Sequence, residues 1–355
     1  MRLLFTVDQA YLPERTGGAL VSTDALCRAL SGRGHEVAVL AKLMPNSLLG
    51  LSNRLRRRIG LLPPYDTAVG YPVYREWNPI KQVSRVCRSF RPDIAIVKSS
   101  MDPVMETALS SEGVPVLCYL RDLDFDQDSW QMPDGGNIRF VSNTTFASMR
   151  FEDRFGIRPP VIHSLIDADQ YRVSSSREVV TFINPHPWKG LDVALDLARQ
   201  RPDIPFEFVE SWPLGDRERN KLSQSIASLP NVTFTRWMPD IRVAYAKTRV
   251  LIVPSQLVEA QARCVAEVHA SGIPVIASEI GGLPEAVGTG GTLVPPTDTE
   301  GWRRALDEIW DASDAYEQAS QRALEHSRRP QLQPDHIVSN LLDLIESQVA
   351  EAARA

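Results

Sequence analysis

The residues best suited to chemistry in this sequence are two glutamates, Glu259 and Glu267, and a lysine, Lys189. A carboxylate can accept hydrogen bonds from a pair of neighbouring hydroxyls and favours positive charge developing beside it. An ammonium offers a compact charge to a phosphate. The glutamates fall in residues 249–294, which read RVLIVPS, QLVEAQARCVAEVHAS, GIPVIAS and EIGGLPEAVGTGGTLV. On a continuous helix the advance from 259 to 267 is about 80° beyond two full turns, so the carboxylates would not share a face if both were helical. Glu259 is therefore expected on a loop and Glu267 on a helix. Spacing alone would also fit two solvated acids.

The elements around these residues point further. Arg249 to Val253 is an apolar, β-branched run and Pro254-Ser255 breaks it; a helical segment of about ten residues then ends at Gly272, and Pro274 to Ala277 forms a second buried run. Parallel strands joined by a helix have their ligand crevice at the strands' carboxyl ends, where helix N-termini favour anions. Lys189 has a comparable setting. Glu178 to Ile183 reads as a strand, Asn184-Pro-His-Pro-Trp-Lys189-Gly190 as a turn, and Leu191 to Gln200 as a helix. The helix dipole disfavours a lysine at a helix start, so an anionic ligand is the better explanation of its presence. A solvated lysine would fit the turn alone.

With Pro254-Ser255 before the glutamates, Gly272-x-Pro274 after them and Gly281-Gly282-x-Pro284-Glu285 beyond, the stretch resembles the donor site of retaining GT-B glycosyltransferases of family 4, the glycosyl transferases group 1. The start of the chain is similar to the same family: Pro13, Gly17-Gly18, a helix from about Ser22 to Leu30, then Arg33-Gly34-His35-Glu36-Val37 entering a second strand. The resemblance implies an α/β chain with the GT-B fold, two Rossmann-like doubly wound domains facing a central cleft. Residues 1–171 would form the acceptor-side domain, 172–329 the nucleotide-sugar-binding domain, and 330–355 a C-terminal helix packing back on the N-domain. It implies that Glu267 holds ribose hydroxyls and that Lys189, with backbone N–H groups near Arg263 and Cys264, holds the diphosphate. Glu259 would lie beside the transferred sugar and be catalytic together with Lys189. Gly17 and Gly18 would approach the donor, and Trp237 and Met238 would border the base.

Two departures from the family pattern stand out. Asn184 occupies the place where relatives carry an arginine, so it is expected at the donor, with Arg263 as a partial replacement for the missing charge. Lys98-Ser99-Ser100 and Arg121-Asp122 follow two N-domain strands where relatives commonly hold histidines, and Arg121 is expected in the vacated acceptor-side place. Asp122, Asp124, Asp126 and Asp128 then alternate. A calcium loop is excluded, because Gln127 stands where glycine is needed and Pro133 where glutamate is needed. A metal-binding D-x-D reading conflicts with the downstream phosphate-binding unit. Asp122 and Asp124 are therefore expected on the acceptor side, with no metal. If the segment were extended, alternation would put all four carboxylates on one side.

The chain has 355 residues and a net charge of −5, which suits two α/β domains and makes an extended nucleic-acid surface a poor fit. Its four cysteines, Cys27, Cys87, Cys118 and Cys264, show no metal-ligand or redox spacing. The first residues, MRLLFTV, already read as a strand, and no apolar run approaches the ~18 residues of a membrane span. The expected location is cytoplasmic. Leu48 to Leu62 mixes leucines with Arg54, Arg56, Arg57 and Arg58; it suits either a basic acceptor-side excursion or a weak peripheral contact with the inner face of a membrane.

The expected function is metal-free, cofactor-free, retaining transfer of a sugar from a nucleotide-diphosphate sugar to a hydroxyl on a small-molecule, glycan or lipid-linked acceptor. The alternative is a nucleotide-sugar-binding protein of the same fold that has lost transfer. Paired acids also serve retaining glycosidases, but a hydrolase has no need of Lys189 or of helix-end N–H groups.

Overall fold

The structure, a computed structural model, describes residues 1–44, 47–58, 63–212 and 214–354. It divides into two compact units, Met1–Leu165 with Pro334–Ala355, and Ile166–Gln333. Ile59 to Leu62, part of the apolar and basic segment noted above, lie outside the described residues.

In the first unit the strands are β1 (Arg2–Ala10), β2 (Glu36–Lys42), β3 (Tyr65–Asp66), β4 (Val73–Glu76), β5 (Ile94–Lys98), β6 (Val116–Leu120) and β7 (Ile138–Ser142). They form one sheet in the order β3-β4-β2-β1-β5-β6-β7. All neighbours are parallel except β3, which runs antiparallel to β4. The central strands are buried on both faces, which is why IAIV and VLCYL read as unbroken apolar runs. The C-terminal helix Pro334–Ala352 belongs to this unit: Ile337, Val338, Leu341 and Ile345 join the core of Leu3, Phe5, Leu26 and Leu30. Each such burial contributes about 1.5–3 kcal/mol. Gln348 Nε2 fastens the helix by donating to the carbonyls of Val116 at 2.8 Å and Asn137 at 3.0 Å.

The second unit carries β8 (Val179–Ile183), β9 (Phe206–Val209), β10 (Val232–Thr235), β11 (Thr248–Val253), β12 (Val275–Ser278) and β13 (Gly291–Val294), all parallel, in the order β10-β9-β8-β11-β12-β13. The order reverses between β8 and β11, and in the first sheet between β1 and β5. In open parallel sheets ligands bind at such switch points, beyond the carboxyl ends of the strands.

Three expectations change. The second unit begins at Ile166 rather than 172, because Tyr171 and Val173 pack on its core and the Val173 N–H donates to Ser271 Oγ at 2.8 Å. The return to the first unit begins at Pro334 rather than 330, since Gln333 Nε2 donates to the carbonyls of Ser327 and Arg329. The helix after β11 is short, Arg263–His269, so 256–262 is loop.

Candidate active site

Lys189 leaves the carboxyl end of β8 and Glu259 the loop after β11, the two strands that flank the reversal of order. Lys189 Nζ lies 2.5 Å from Glu259 Oε2, with the two side chains 18% and 13% exposed. Ser255 Oγ donates to the other Glu259 oxygen. The ammonium also sits 5.0 Å from the centre of the Trp188 ring. Two close backbone contacts bring this pair together. Gly190, at φ +88°, packs so tightly on the turn after β11 that an added Cβ would lie 1.9 Å from the Pro254 carbonyl oxygen. Across the loop the Gly282 N–H donates to the Glu259 carbonyl at 2.8 Å, and a Cβ there would lie 1.9 Å from the Ala260 oxygen. The glycines of both motifs therefore serve close approach of backbone to backbone.

Glu267 lies on the short helix and is 7% exposed. One of its oxygens is 2.6 Å from Arg263 Nε, and the other accepts from the Tyr245 hydroxyl at 2.6 Å. Arg263 also donates to the Tyr171 hydroxyl at 2.8 Å. Each carboxylate oxygen can accept two hydrogen bonds, so this clamp orients Glu267 and leaves it capacity for a diol. Burial, reinforced by Glu267, pushes the neighbouring Cys264 thiol up to about 12, so it stays protonated near neutral pH.

Asn184 does not stand in for a cation. It adopts φ 58° and its Oδ1 accepts the backbone N–H groups of Ser211 at 2.9 Å and Trp212 at 3.3 Å. Its side chain ties the turn after β8 to the segment after β9. The base-side expectation rests on Trp237, which is 44% exposed, and on Met238, half-buried beside it. Trp237 is placed by a residue that the sequence reading overlooked. Glu210, 2% exposed at the end of β9, accepts the N–H groups of Trp237 at 3.0 Å and Leu214 at 2.5 Å, with Arg219 at 3.2 Å. Burial alone would raise this carboxyl, but these donors hold it below its ordinary range. Trp188 and Trp212, also overlooked, stack with ring centres 5.9 Å apart and planes 11° apart. An acid closing an apolar strand, FVE, was the available signal for Glu210.

In the first unit, Gly17 and Gly18 open the helix Gly18–Gly32, whose start no side chain caps. Arg121 follows the carboxyl end of β6, and its side chain packs inward. It is 9% exposed, lies over the Tyr119 ring at 4.2 Å and donates to the Ala19 carbonyl at 3.1 Å and Thr23 Oγ1 at 2.7 Å. Burial pushes its pKa down. Arg121 thus braces the first turn of the helix that Gly17 and Gly18 open.

Beside it Lys98, at the end of β5, has Nζ 2.6 Å from Asp122 Oδ2. The aspartates do not share one side, because Asp124–Asp126 is a tight turn rather than a strand. Asp126 turns away to Arg150 at 2.6 Å, and Asp128 is exposed. Asp124 stays near Asp122 and Lys98, and burial followed by the Asp122 charge pushes its carboxyl up to about 6. Among the described residues no group of three or more His, Cys, Asp or Glu is arranged to hold a metal ion.

Residues 177–312 match the family model described as glycosyl transferases group 1. A D-inositol 3-phosphate glycosyltransferase of Rhodococcus erythropolis is 28% identical over 235 residues, 58% of this chain and 52% of the relative. The chain spans about half or less of the length of the curated relatives it matches. Solved structures align along nearly its whole length. A glycosyltransferase of Rickettsia africae gives a TM-score of 0.77 at 15% identity, covering 98% of both chains. HepE of Anabaena in complex with UDP-glucose gives 0.76 at 18% identity, covering 98% of this chain and all of the other. The match to the glycosyl transferases group 1 thus covers residues 177–312, and the solved structures show that the chain has the GT-B fold.

Proposed function

We propose that the protein is a retaining glycosyltransferase that moves a sugar from a nucleotide-diphosphate sugar to an acceptor hydroxyl, with no resident metal or cofactor. The observation that carries this reading is the Lys189–Glu259 pair at the switch point between β8 and β11, a cation and a carboxylate 2.5 Å apart. Lys189 receives charge on the leaving diphosphate, Glu259 bonds the sugar hydroxyls and favours positive charge on the ring, and Glu267 takes the ribose. A uridine nucleotide is the first choice of donor, on the analogy of the HepE complex with UDP-glucose. The compartment is the cytoplasm, with a peripheral contact at the inner face of the membrane; Cys27, Cys87 and Cys118 are free, buried thiols compatible with a reducing environment.

Screening UDP-, GDP- and ADP-sugars by thermal shift and slow donor hydrolysis, with polyol, polyol-phosphate and glycan acceptors, tests the reading. A ligand at a hundred times its dissociation constant stabilises by about 2.7 kcal/mol. NMR of the product then shows whether the anomeric configuration is kept. Inversion would remove the retaining assignment.

A second reading is a nucleotide-sugar-binding protein without transfer. It is favoured by Asn184, whose side chain closes a loop where relatives place a cation. Tight binding without turnover over hours, unchanged in Glu259→Ala, would select it.

A further inference from the structure

The helix Leu48–Arg58 carries an apolar stripe outside the core of its unit. Leu48, Leu51 and Leu55 are 85%, 53% and 62% exposed. At helical periodicity they fall within an arc of about 60°, and Arg54 and Arg58, both exposed, line one flank of it. The opposite face holds the helix in place by polar and close contacts. Asn53 is buried with Nδ2 3.5 Å from Asp66 Oδ2, Asp66 is 2.8 Å from Arg75, and Arg75 is 3.1 Å from Glu14. Gly50 lets the helix approach Met44, whose carbonyl oxygen would lie 2.2 Å from an added Cβ. The leucines are therefore not the face that folds the helix onto its unit. Trp77, half exposed, extends the stripe, with the Arg54 guanidinium 4.9 Å from its ring centre.

Charge identifies the occupant. From Met44 to Tyr65 the sequence holds four arginines and neither aspartate nor glutamate, in a chain whose net charge is −5. An apolar stripe with a cationic margin and an aromatic beside it suits a surface of anionic headgroups over acyl chains. Among the described residues no helix is long and apolar enough to cross a membrane, so the contact lies in the interface plane.

We propose that this face docks the protein on an anionic phospholipid bilayer. Leu48, Leu51 and Leu55 enter the acyl boundary, Arg54 and Arg58 meet headgroup phosphates, and Trp77 sits at headgroup level. The proposal deepens the peripheral location given above and does not depend on sugar transfer, so a protein with no detectable transferase activity would leave it standing.

The test is flotation of the full chain with vesicles of phosphatidylcholine alone and of phosphatidylcholine mixed with phosphatidylglycerol. Wild type should float with the mixed vesicles only, and less as salt rises. Arg54→Gln with Arg58→Gln should weaken partitioning by about fivefold for each charge removed. Leu48→Ser with Leu51→Ser and Leu55→Ser should abolish it. Because all five positions are exposed, the variants should keep the wild-type unfolding midpoint. Wild type that fails to float with anionic vesicles, or a leucine variant that floats as wild type does, overturns the proposal. A dimer in solution that the leucine changes dissociate would instead assign the stripe to a second copy of the chain.

Discussion

Gly190 and Pro254 are in backbone contact so close that no side chain fits between them: a Cβ on Gly190 would lie 1.9 Å from the Pro254 oxygen and 2.6 Å from its carbonyl carbon. This contact locks the turn after β8 onto the turn after β11. It explains why the residue following Lys189 is a glycine and how Lys189 reaches Glu259. Gly190→Ala should impose left-handed strain and overpacking together, costing about 3 kcal/mol of stability, and should impair turnover in whatever protein remains folded. Urea unfolding checks the first part. A stability within about 0.5 kcal/mol of wild type, the range of ordinary surface changes, would show that the turns are not locked.

Lys189→Ala should lower kcat by about a hundred- to a thousand-fold, the usual loss when one preorganised charge-stabilising donor is removed. The fold should survive, because Lys189 is at the rim of the sheet and keeps 18% side-chain exposure. Turnover measured beside thermal unfolding separates the two effects. Activity within threefold of wild type would remove Lys189 from the mechanism.

Glu267→Gln should weaken a free nucleoside diphosphate and the intact donor alike, by about ten- to a hundred-fold, since a hydrogen bond to a charged group is worth about 1.5–3 kcal/mol. Arg263 and Tyr245 already orient both oxygens, so the variant loses a preset acceptor and not a mobile one. Calorimetry with UDP and with UDP-glucose distinguishes the assignments. If only the sugar portion contributes to the loss, Glu267 faces the sugar and the roles of the two glutamates exchange.

Much of the frame was legible because strands buried on both faces read as largely apolar runs, as in LLFTV, IAIV, VLCYL and VLIVP. The glycine motifs of the second unit were legible too, since close backbone approach leaves glycine little substitute. Less legible was where side chains point. Arg121 follows a strand, but a guanidinium on three methylenes folds back under the first helix when a carbonyl, a hydroxyl and an aromatic face are there to receive it. The alternating aspartates had the period of a strand, yet the segment turns at Asp124, and periodicity carries no information about a turn of three residues. Glu210 escaped because its partners include backbone N–H groups, one of them 27 residues on, which no side-chain motif marks.

Glu106 gives a pH prediction. It is fully buried in the helix Val104–Ser111, with one oxygen 3.3 Å from Cys118 Sγ. Burial pushes its carboxyl up to about 7. In the unfolded chain it titrates near 4.3, so between about pH 4 and about pH 7 the folded state holds the proton more tightly. The group therefore lowers stability progressively as pH rises through that window, by a few kcal/mol in all. Glu106→Gln should flatten the decline and make the protein more stable than wild type at about pH 8, with little difference at about pH 4. Urea midpoints at the two pH values decide it. A variant less stable than wild type at the higher pH would mean that the ionised carboxylate is satisfied in place.

Lys98 and Asp122 meet beyond the carboxyl ends of β5 and β6, one strand along from the reversal of order between β1 and β5, with Nζ 2.6 Å from Oδ2. On the proposed reading Lys189 serves the donor phosphates, which assigns this pair to the acceptor. Burial alone would depress the Lys98 pKa, and the Asp122 charge more than restores it, which keeps the ammonium charged. Asp124, pushed up to about 6 by burial and by Asp122, is near enough to neutrality to take up a proton from an acceptor hydroxyl. Asp122→Asn and Asp124→Asn should each raise the acceptor KM while sparing slow hydrolysis of the donor, and only the Asp124 change should flatten the acidic limb of the transfer rate, near pH 6. Chelator should leave transfer intact. Activity lost in chelator and restored by manganese or magnesium would make Asp122 and Asp124 metal ligands and overturn the metal-free mechanism.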